Sequence, residues 1–301
     1  MGINYNSAAL LCKAKQNNVC FDEVLTLGHQ TLYLSQNQIK QLATHYNLKM
    51  DTSAFLYGQY VDRFFEMFLG AKRVMSLDYS DYQACDIMHD MNYPIKPSYH
   101  EKFNVVIDGG SLEHIFNFPV ALANCMNMVM KGGSLFIFTM ANNHMGHGFY
   151  QFSPELFFRI FENRNGFEIH DVILEKHPFP GAELSSKTKC FSVVDPASVK
   201  SRIGLVSQTP VVMMVHAVRT ETKCVFADYP IQSDYASTYE GNVSDGCDRG
   251  VNVNIQASFR TSARRLFSLL PLRFKNFIIG RHQLHAYSFS NRRFYKRWYP
   301  L

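Results

Sequence analysis

The stretch Phe103-Asn-Val-Val-Ile-Asp-Gly-Gly-Ser-Leu-Glu-His-Ile-Phe-Asn117 decides the fold of this chain. Its first half is a short run rich in valine and isoleucine that stops at a carboxylate and two glycines, and the second half resumes as a helix. Buried strands of parallel sheets have this composition. The pattern therefore predicts a strand that ends at Asp108, Gly109 and Gly110, at the carboxyl edge of a sheet, where open α/β folds bind ligands.

The pattern along the rest of the chain alternates between strands and helices. This alternation predicts a doubly wound, mostly parallel α/β sheet. The last two strands are joined by the loop 176–209 instead of a helix, so we expect an antiparallel pair at one edge. The predicted strands cover 23–28, 73–78, 85–88, 103–108, 134–139, 167–174 and 210–218, and the predicted helices cover 35–46, 53–69, 117–130 (closed by Lys131-Gly132-Gly133) and 153–165.

The composition is that of a folded protein with a large core. The chain has 301 residues, of which 47% are apolar and 14% aromatic. The odd number of cysteines and the lack of a CxxC pair indicate neither a disulfide framework nor a zinc site, and no apolar run has the length of a membrane span. We therefore expect a cytoplasmic protein in a reducing compartment. The seven cysteines are Cys12, Cys20, Cys85, Cys125, Cys190, Cys224 and Cys247.

The net charge of +5 hides an asymmetry along the chain. The segment from Arg249 to Leu301 holds eleven Lys and Arg residues and no Asp or Glu, which leaves 19 basic against 25 acidic residues before it. We therefore expect an α/β domain over residues 1–222 and a basic C-terminal extension over 223–301, with helical structure as one option.

Several pieces of the chain resemble the class I S-adenosylmethionine-dependent methyltransferases, over roughly residues 20–220. The resemblance implies a Rossmann-like sheet of seven strands with a reversed edge strand, and S-adenosylmethionine as the cofactor. It rests on the strand and turn 24–28, on Asp78, on His89-Asp90-Met91 and on 108–114, while the segments 142–156 and 165–167 resemble small-molecule and glycan-pathway members.

The resemblance implies that Asp78 binds the ribose hydroxyls and that Asp90 contacts the adenine amino group. A carboxylate can accept two hydroxyl hydrogen bonds at once, and acids suit a cationic sulfonium. The alternative is that both aspartates only cap loops. The predicted cofactor-binding residues are Gly28, His29, Gln30, Asp78, Tyr79, Asp90, Met91, Asp108, Gly109 and Gly110.

The first loop departs from the family pattern of an acid followed by three spaced glycines. The corresponding residues are Thr26-Leu-Gly-His-Gln-Thr-Leu32, in which only Gly28 remains. Glycines let a backbone approach a ligand closely, so Gln30 and Leu32 either widen the loop or fill part of the pocket. His29 and Gln30 could also replace main-chain contacts with side-chain contacts.

Histidines dominate the predicted catalytic residues, which are His144, His147, Tyr150 and His114. Methyl transfer depends mostly on positioning the two reactants, and a hydroxyl acceptor also needs a base, for which histidine is suited by its pKa. For Glu113 the favoured interpretation is an acid in the first turn of a helix. Two histidines three residues apart in a loop without a third ligand nearby are more typical of hydrogen-bonded loop residues than of a metal site, so no metal is expected.

The sequence thus favours methyl transfer to a small-molecule or glycan-pathway acceptor, at oxygen. A catalytically silent methyltransferase fold that acts as a scaffold in a biosynthetic assembly is the alternative. A nicotinamide-dependent oxidoreductase is a third option, which the missing phosphate-binding glycines weaken.

The basic tail mixes cations with large apolar residues in 264–279 and in 291–299. Such a segment suits the surface of an anionic membrane, because apolar groups insert at the interface while cations attract the headgroups. A peripheral membrane location is therefore one expectation. A helix packed on the acidic body is the other, and nucleic acid, on whose bases the aromatics could stack, is the weaker partner.

Overall fold

A single mixed sheet forms the centre of the chain. The computed structural model describes residues 2–180, 188–240 and 271–301. Within these residues the strands are β1 (Glu23–Leu27), β2 (Arg73–Asp78), β3 (Ile87–Met88), β4 (Phe103–Asp108), β5 (Val129–Asn142), β6 (Phe167–Lys176), β7 (Lys189–Val193), β8 (Val211–Arg219) and β9 (Tyr295–Trp298). They pair in the order β3-β2-β1-β4-β5-β8-β6-β7-β9.

The first five strands pair in parallel, and β8 runs antiparallel to both of its neighbours, β5 and β6. The doubly wound α/β class is therefore confirmed. The strand number and the place of the reversed strand were wrong. The described sheet has nine strands instead of seven, and the reversed strand β8 is interior, because β6 pairs along its outer side and β7 and β9 extend the sheet further.

Helices cover both faces of the sheet. They are α1 (Tyr5–Gln16), α2 (Gln36–His45), α3 (Asp62–Phe64), α4 (Phe118–Met128), α5 (Pro154–Ile160), α6 (Pro196–Val199), α7 (Ser233–Glu240) and α8 (Leu272–Ala286). The alternation of side chains along β4 separates the two cores. Val105 and Ile107 pack with residues of α1 and α2, whereas Val106 packs with residues of α4 and α5 on the other face.

Two predicted helices differ from the structure. Apart from the 3-10 turn Thr52–Ala54, the region 53–69 is helical only from Asp62, where α3 passes into a π-helical turn at Phe65–Leu69. The predicted helix end at Lys131-Gly132-Gly133 was also wrong. β5 already begins at Val129, and Gly132, with φ of +79°, lies within that strand. The main-chain carbonyl of Asn104 leaves no room for a side chain on Gly133, because a Cβ there would lie 2.6 Å from that oxygen.

The chain returns to the sheet at its C-terminal end. β9 pairs with β7, with Tyr295 opposite Val193 and Trp298 opposite Cys190. The last strand of the sheet therefore comes from the predicted basic extension, and the division at residue 222 stays a prediction. Cys247, Arg249, Arg260, Arg264 and Arg265 lie outside the described residues.

Among the residues that the structure describes, no helix is both long enough and apolar enough to cross a membrane.

Candidate functional site

The strand ends predicted to bind a ligand lie side by side. Leu27 at the end of β1 pairs with Leu77 of β2 on one side and with Asp108 of β4 on the other, and Asp78 pairs with Met88 of β3. The turns that follow these four strands therefore share one edge of the sheet, as expected from the sequence.

Asp78 lies beside the turn at Gly28. Gly28 has φ of +69°, a left-handed conformation that favours glycine, and its N–H donates to the Leu77 carbonyl at 2.7 Å. A Cβ at this position would lie 3.6 Å from Asp78 Oδ2. The other oxygen of Asp78 accepts the N–H of Tyr79 at 2.6 Å, and the carboxylate is only half-buried, so it can accept further hydrogen bonds from a ligand.

Asp90 is engaged with its own loop. Its Oδ1 accepts the main-chain N–H of Asn92 at 2.9 Å and the side-chain amide of Asn92 at 2.8 Å. These hydrogen bonds, the main-chain one first, lower the pKa of Asp90 below its ordinary value. Of its neighbours in the predicted cofactor set, Met91 is buried in the core and Tyr79 is 73% exposed.

The first loop is filled by the side chain of Gln30, which is 3% exposed. Its Nε2 donates to the Leu27 carbonyl at 2.5 Å, and a Cβ on Gly109 would lie 2.0 Å from its Oε1. Gln30 therefore spans the ends of β1 and β4. Leu32, which the sequence placed at the same pocket, is fully buried in the core beneath α1 and α2.

His29 faces the neighbouring loops. Its Nδ1 lies 3.0 Å from the Gln83 carbonyl, its Nε2 lies 3.8 Å from Asp62, and its ring stacks on Tyr60 at 4.1 Å between centroids. These contacts hold the imidazole at the rim of the loop.

Asp108 is completely buried and shapes the turn after β4. Its Oδ1 accepts the N–H groups of Gly110 at 3.2 Å and Ser111 at 2.7 Å. Burial, and to a lesser degree the neighbouring Glu113 carboxylate, raises the pKa of Asp108 to about 8. Asp108 and Gly110 therefore stabilise the turn through a hydrogen bond inside it. Their contact with a cofactor stays a prediction.

The loop after β5 folds back onto Glu113. The N–H groups of Phe149 and Tyr150 donate to the Glu113 main-chain carbonyl at 2.8 and 3.2 Å. A Cβ on Gly148 would lie 2.8 Å from the same oxygen, so glycine allows this close approach. This packing brings His147 to Glu113, for which the sequence favoured a place in the first turn of the following helix.

Glu113 is fully buried in a 3-10 turn, Leu112–His114, that precedes α4. Its Oε2 accepts the hydroxyl of Thr139 at 2.9 Å, and its Oε1 lies 3.7 Å from His147 Nε2. The feature of the sequence that points to a site residue here is an acid directly before His114, shortly after a buried strand. The contact with Thr139, 26 residues away, could not be foreseen.

Three of the four predicted catalytic residues gather here. The rings of His114 and His147 are 5.0 Å apart between centroids, and those of His144 and His147 are 5.9 Å apart. The fourth, Tyr150, donates its hydroxyl to the Phe116 carbonyl at 2.7 Å. Its hydroxyl therefore holds the loop, and a catalytic role for it stays a prediction.

A cavity of about 360 Å³ adjoins this cluster and was not predicted from the sequence. Its walls come from α1, from the loop after β1, from β5 and β8, and from the end of β6. The lining residues include Tyr33, Phe138, Met140, His147, Glu175 and His177.

Glu175 and His177 form the polar end of this cavity. Glu175 is 1% exposed, and its Oε1 accepts a hydrogen bond from the side-chain amide of Asn6 at 2.9 Å. The same oxygen lies 3.7 Å from His177 Nε2. Burial raises the pKa of Glu175 above its ordinary value, an effect that the neighbouring His177 and the hydrogen bonds oppose. An acid at the end of the apolar run Val172-Ile-Leu-Glu175 was the signal that sequence reasoning overlooked.

No protein-family model matches this chain, and no curated protein matches it. Solved structures do match. The YcgJ protein of Bacillus subtilis has 10% identity and a TM-score of 0.38, over 71% of this chain and 98% of that chain. The 1,6-didemethyltoxoflavin N1-methyltransferase of Burkholderia thailandensis, with bound 1,6-didemethyltoxoflavin and S-adenosylhomocysteine, has 12% identity and a TM-score of 0.38, over 71% and 77%. The N-methyltransferase NodS of Bradyrhizobium japonicum WM9 has 11% identity and a TM-score of 0.36, over 71% and 94%.

The sheet itself carries the fold assignment. Its parallel half, β3-β2-β1-β4-β5, continues into the reversed β8 and then into β6, with helices on both faces. These seven strands match the number that the family resemblance implied, with the reversed strand one position in from the edge, and β7 and β9 are additions to them. The chain therefore has a Rossmann-like, doubly wound α/β fold.

Proposed function

We propose that this protein transfers a methyl group from S-adenosylmethionine to a small-molecule or glycan-pathway acceptor, at an oxygen atom. The observation that carries the proposal is the half-buried Asp78 carboxylate beside the left-handed turn at Gly28, on the edge that also holds the histidine cluster. A carboxylate in this place can accept both hydroxyls of a ribose.

The cofactor supplies a methyl group on a positively charged sulfur. The residues of the edge fit its nucleoside half through Asp78, while the space above Gly109 is taken by Gln30. The Gln30 side chain donates a hydrogen bond there to the Leu27 carbonyl. We infer that this side chain turns away when the cofactor binds, which exposes Gly109.

The histidine cluster provides a base for the acceptor. When the methyl group leaves the sulfur for an acceptor oxygen, an imidazole of the cluster would accept the hydroxyl proton. We assign this role to His144 or His147. The Glu113 carboxylate, 3.7 Å from His147, would stabilise an imidazolium there.

The cavity next to the cluster suits the acceptor. His147 is part of its wall, so an acceptor inside it would reach the base. Phe138, Met140 and Met214 give it apolar sides, whereas Glu175 offers a carboxyl group at one end. This combination favours an acceptor with an apolar face and hydrogen-bond donors, such as the hydroxyls of a sugar ring.

Calorimetry with S-adenosylhomocysteine tests the cofactor assignment. We expect saturable binding to the full chain and an affinity at least about tenfold lower in Asp78→Asn, because hydrogen bonds to a charged group contribute about 1.5–3 kcal/mol. Asp81→Asn, on the exposed turn that follows β2, is the control and should bind like the wild type. Absence of binding to the wild-type chain would overturn the proposal and support the silent scaffold.

We also propose that α8 contacts an anionic membrane surface. None of its residues is buried, and Phe274, Phe277 and Leu284 are 61–63% exposed. Arg273 and Lys275 lie beside them in the same helix. The end of the helix is fixed to the body, since Val206 donates its N–H to the Tyr287 carbonyl at 2.7 Å.

A further inference from the structure

Two imidazoles of the cluster formed by His114, His144 and His147 join the neighbouring Glu113 in a group with the composition of a metal site. Glu113, His114 and His147 each offer one ligand atom, and these atoms all lie within 4.8 Å of one another. This group could not be predicted from the sequence, because its two histidines are separated by 33 positions. The pair that the sequence suggested was His144 and His147, whereas the group joins His147 to His114 and the buried Glu113.

Glu113 has one carboxylate oxygen that points into the group. Its Oε1 is fully buried and accepts no hydrogen bond from any residue that the structure describes. A buried carboxylate oxygen without a hydrogen bond is unfavourable, and a bound ion or water is a usual explanation for such an atom. His147 Nε2, at 3.7 Å, is too far to donate a hydrogen bond to it.

The other oxygen of Glu113 is already fixed. The Thr139 hydroxyl donates to Oε2 at 2.9 Å, which orients the carboxylate so that Oε1 faces the two imidazoles. In metal sites, the ligating carboxylates typically accept such hydrogen bonds from neighbouring residues, and these bonds orient the coordinating oxygen.

The main chain holds His147 in place. The N–H groups of Phe149 and Tyr150 are bonded to the Glu113 carbonyl, and the close approach at Gly148 fixes the loop against the same residue. The His147 side chain is 35% exposed, so it can adjust its position and an ion can reach it from solvent.

We propose that Glu113, His114 and His147 bind one divalent transition-metal ion, such as Zn²⁺, Co²⁺ or Mn²⁺. Two imidazoles and one carboxylate on one side of an ion leave other positions open, a pattern that first-row transition metals accept. Metal bonds to nitrogen and oxygen are about 2.0–2.2 Å long, which places neighbouring ligand atoms about 3–3.6 Å apart. Ligand atoms that lie up to 4.8 Å apart must therefore approach one another by about 1–2 Å when the ion binds.

The position of the ion has a consequence for the cavity. His147 belongs both to the cavity wall and to the proposed metal site, so the open positions of the ion would face the acceptor. His147 is then a ligand, and His144 remains as the base. This consequence rests on the proposed function, whereas metal binding itself does not.

Titration of the chelator-treated full chain with Co²⁺ tests the proposal, and its readout is independent of methyl transfer. We expect one Co²⁺ per chain by calorimetry, with visible absorption bands of a nitrogen- and oxygen-ligated ion. Glu113→Gln and His147→Gln should each weaken binding by about tenfold or more, since loss of even a supporting group costs about 10–100-fold.

The control is His45→Gln, because His45 is an exposed histidine at the end of α2, away from the cluster. It should bind Co²⁺ like the wild type. Circular dichroism checks that each variant is folded. If Glu113→Gln does not fold, the His147→Gln variant, which changes a part-exposed residue, tests the proposal by itself. The proposal is overturned if the wild type shows no saturable site, or if folded His147→Gln binds Co²⁺ as tightly as His45→Gln.

Discussion

The amide of Gln30 lies directly on Gly109, with its Oε1 2.0 Å from the point where a Cβ of residue 109 would be. One residue from the loop after β1 thus covers the turn after β4. In the family pattern a glycine would stand in the position of Gln30, so this contact is specific to the altered loop of this chain.

We expect Gln30→Ala to bind S-adenosylhomocysteine more tightly than the wild type, by about fivefold. The side chain must leave Gly109 before a ligand can occupy this space, and its hydrogen bond to Leu27 is worth about 1 kcal/mol. Calorimetry on the two chains measures the difference. Gln41→Ala, on the exposed side of α2, should leave the affinity unchanged. A weaker affinity of Gln30→Ala would mean that the amide itself binds the ligand.

Gly109→Ala should destabilise the folded protein, by about 1–3 kcal/mol, because the new methyl group would overlap the Gln30 side chain. The loss should largely disappear in the double variant Gln30→Ala/Gly109→Ala, where the space is free. Urea unfolding of the four chains gives the coupling between the two sites. Equal destabilisation by Gly109→Ala in both backgrounds would show that the backbone, and not Gln30, requires glycine at this position.

The exposed face of α8 should bind anionic lipid vesicles at low salt. Burial of a phenylalanine side chain is worth about 1.5–3 kcal/mol, so Phe274→Ser/Phe277→Ser should bind at least about tenfold more weakly. High salt should weaken wild-type binding, because it screens the attraction of Arg273 and Lys275 to the lipids. Co-sedimentation with anionic and with neutral vesicles measures both effects. Equal binding of the wild type and the double variant would exclude α8 as the contact.

The strand ends could be read from the sequence because each depends on local signals. The apolar runs that become β2 and β4 stop at Asp78 and Asp108, as predicted. β7 and β9 were missed, because one lies in a segment with the composition of a loop and the other in the basic tail. Only their pairing with each other and with β6 makes them strands. The same limit applies to the site, where the role of Glu113 depends on Thr139 and His147, far away along the chain.

The pH dependence of stability should change in Glu175→Gln. Burial raises the pKa of Glu175 in the folded protein, whereas His177, Asn4, Asn6 and Thr188, which face the carboxyl group, oppose this rise. Below the ordinary pKa of a glutamate, about 4.3, the group is protonated in both states and has no effect. As the pH rises above that value, the unfolded chain releases the proton first, so the wild type loses stability until the pH passes the pKa of the folded state.

Glutamine does not titrate and keeps an oxygen to accept the hydrogen bond of Asn6. The melting temperature of Glu175→Gln should therefore exceed that of the wild type by a margin that widens as the pH rises from about 4.3 toward neutrality. Thermal unfolding at a series of pH values measures this margin. Glu168→Gln, at an exposed position of the same strand, is the matched control and should show no such widening. A margin that narrows with rising pH would show that the ionised carboxylate, paired with His177, stabilises the fold.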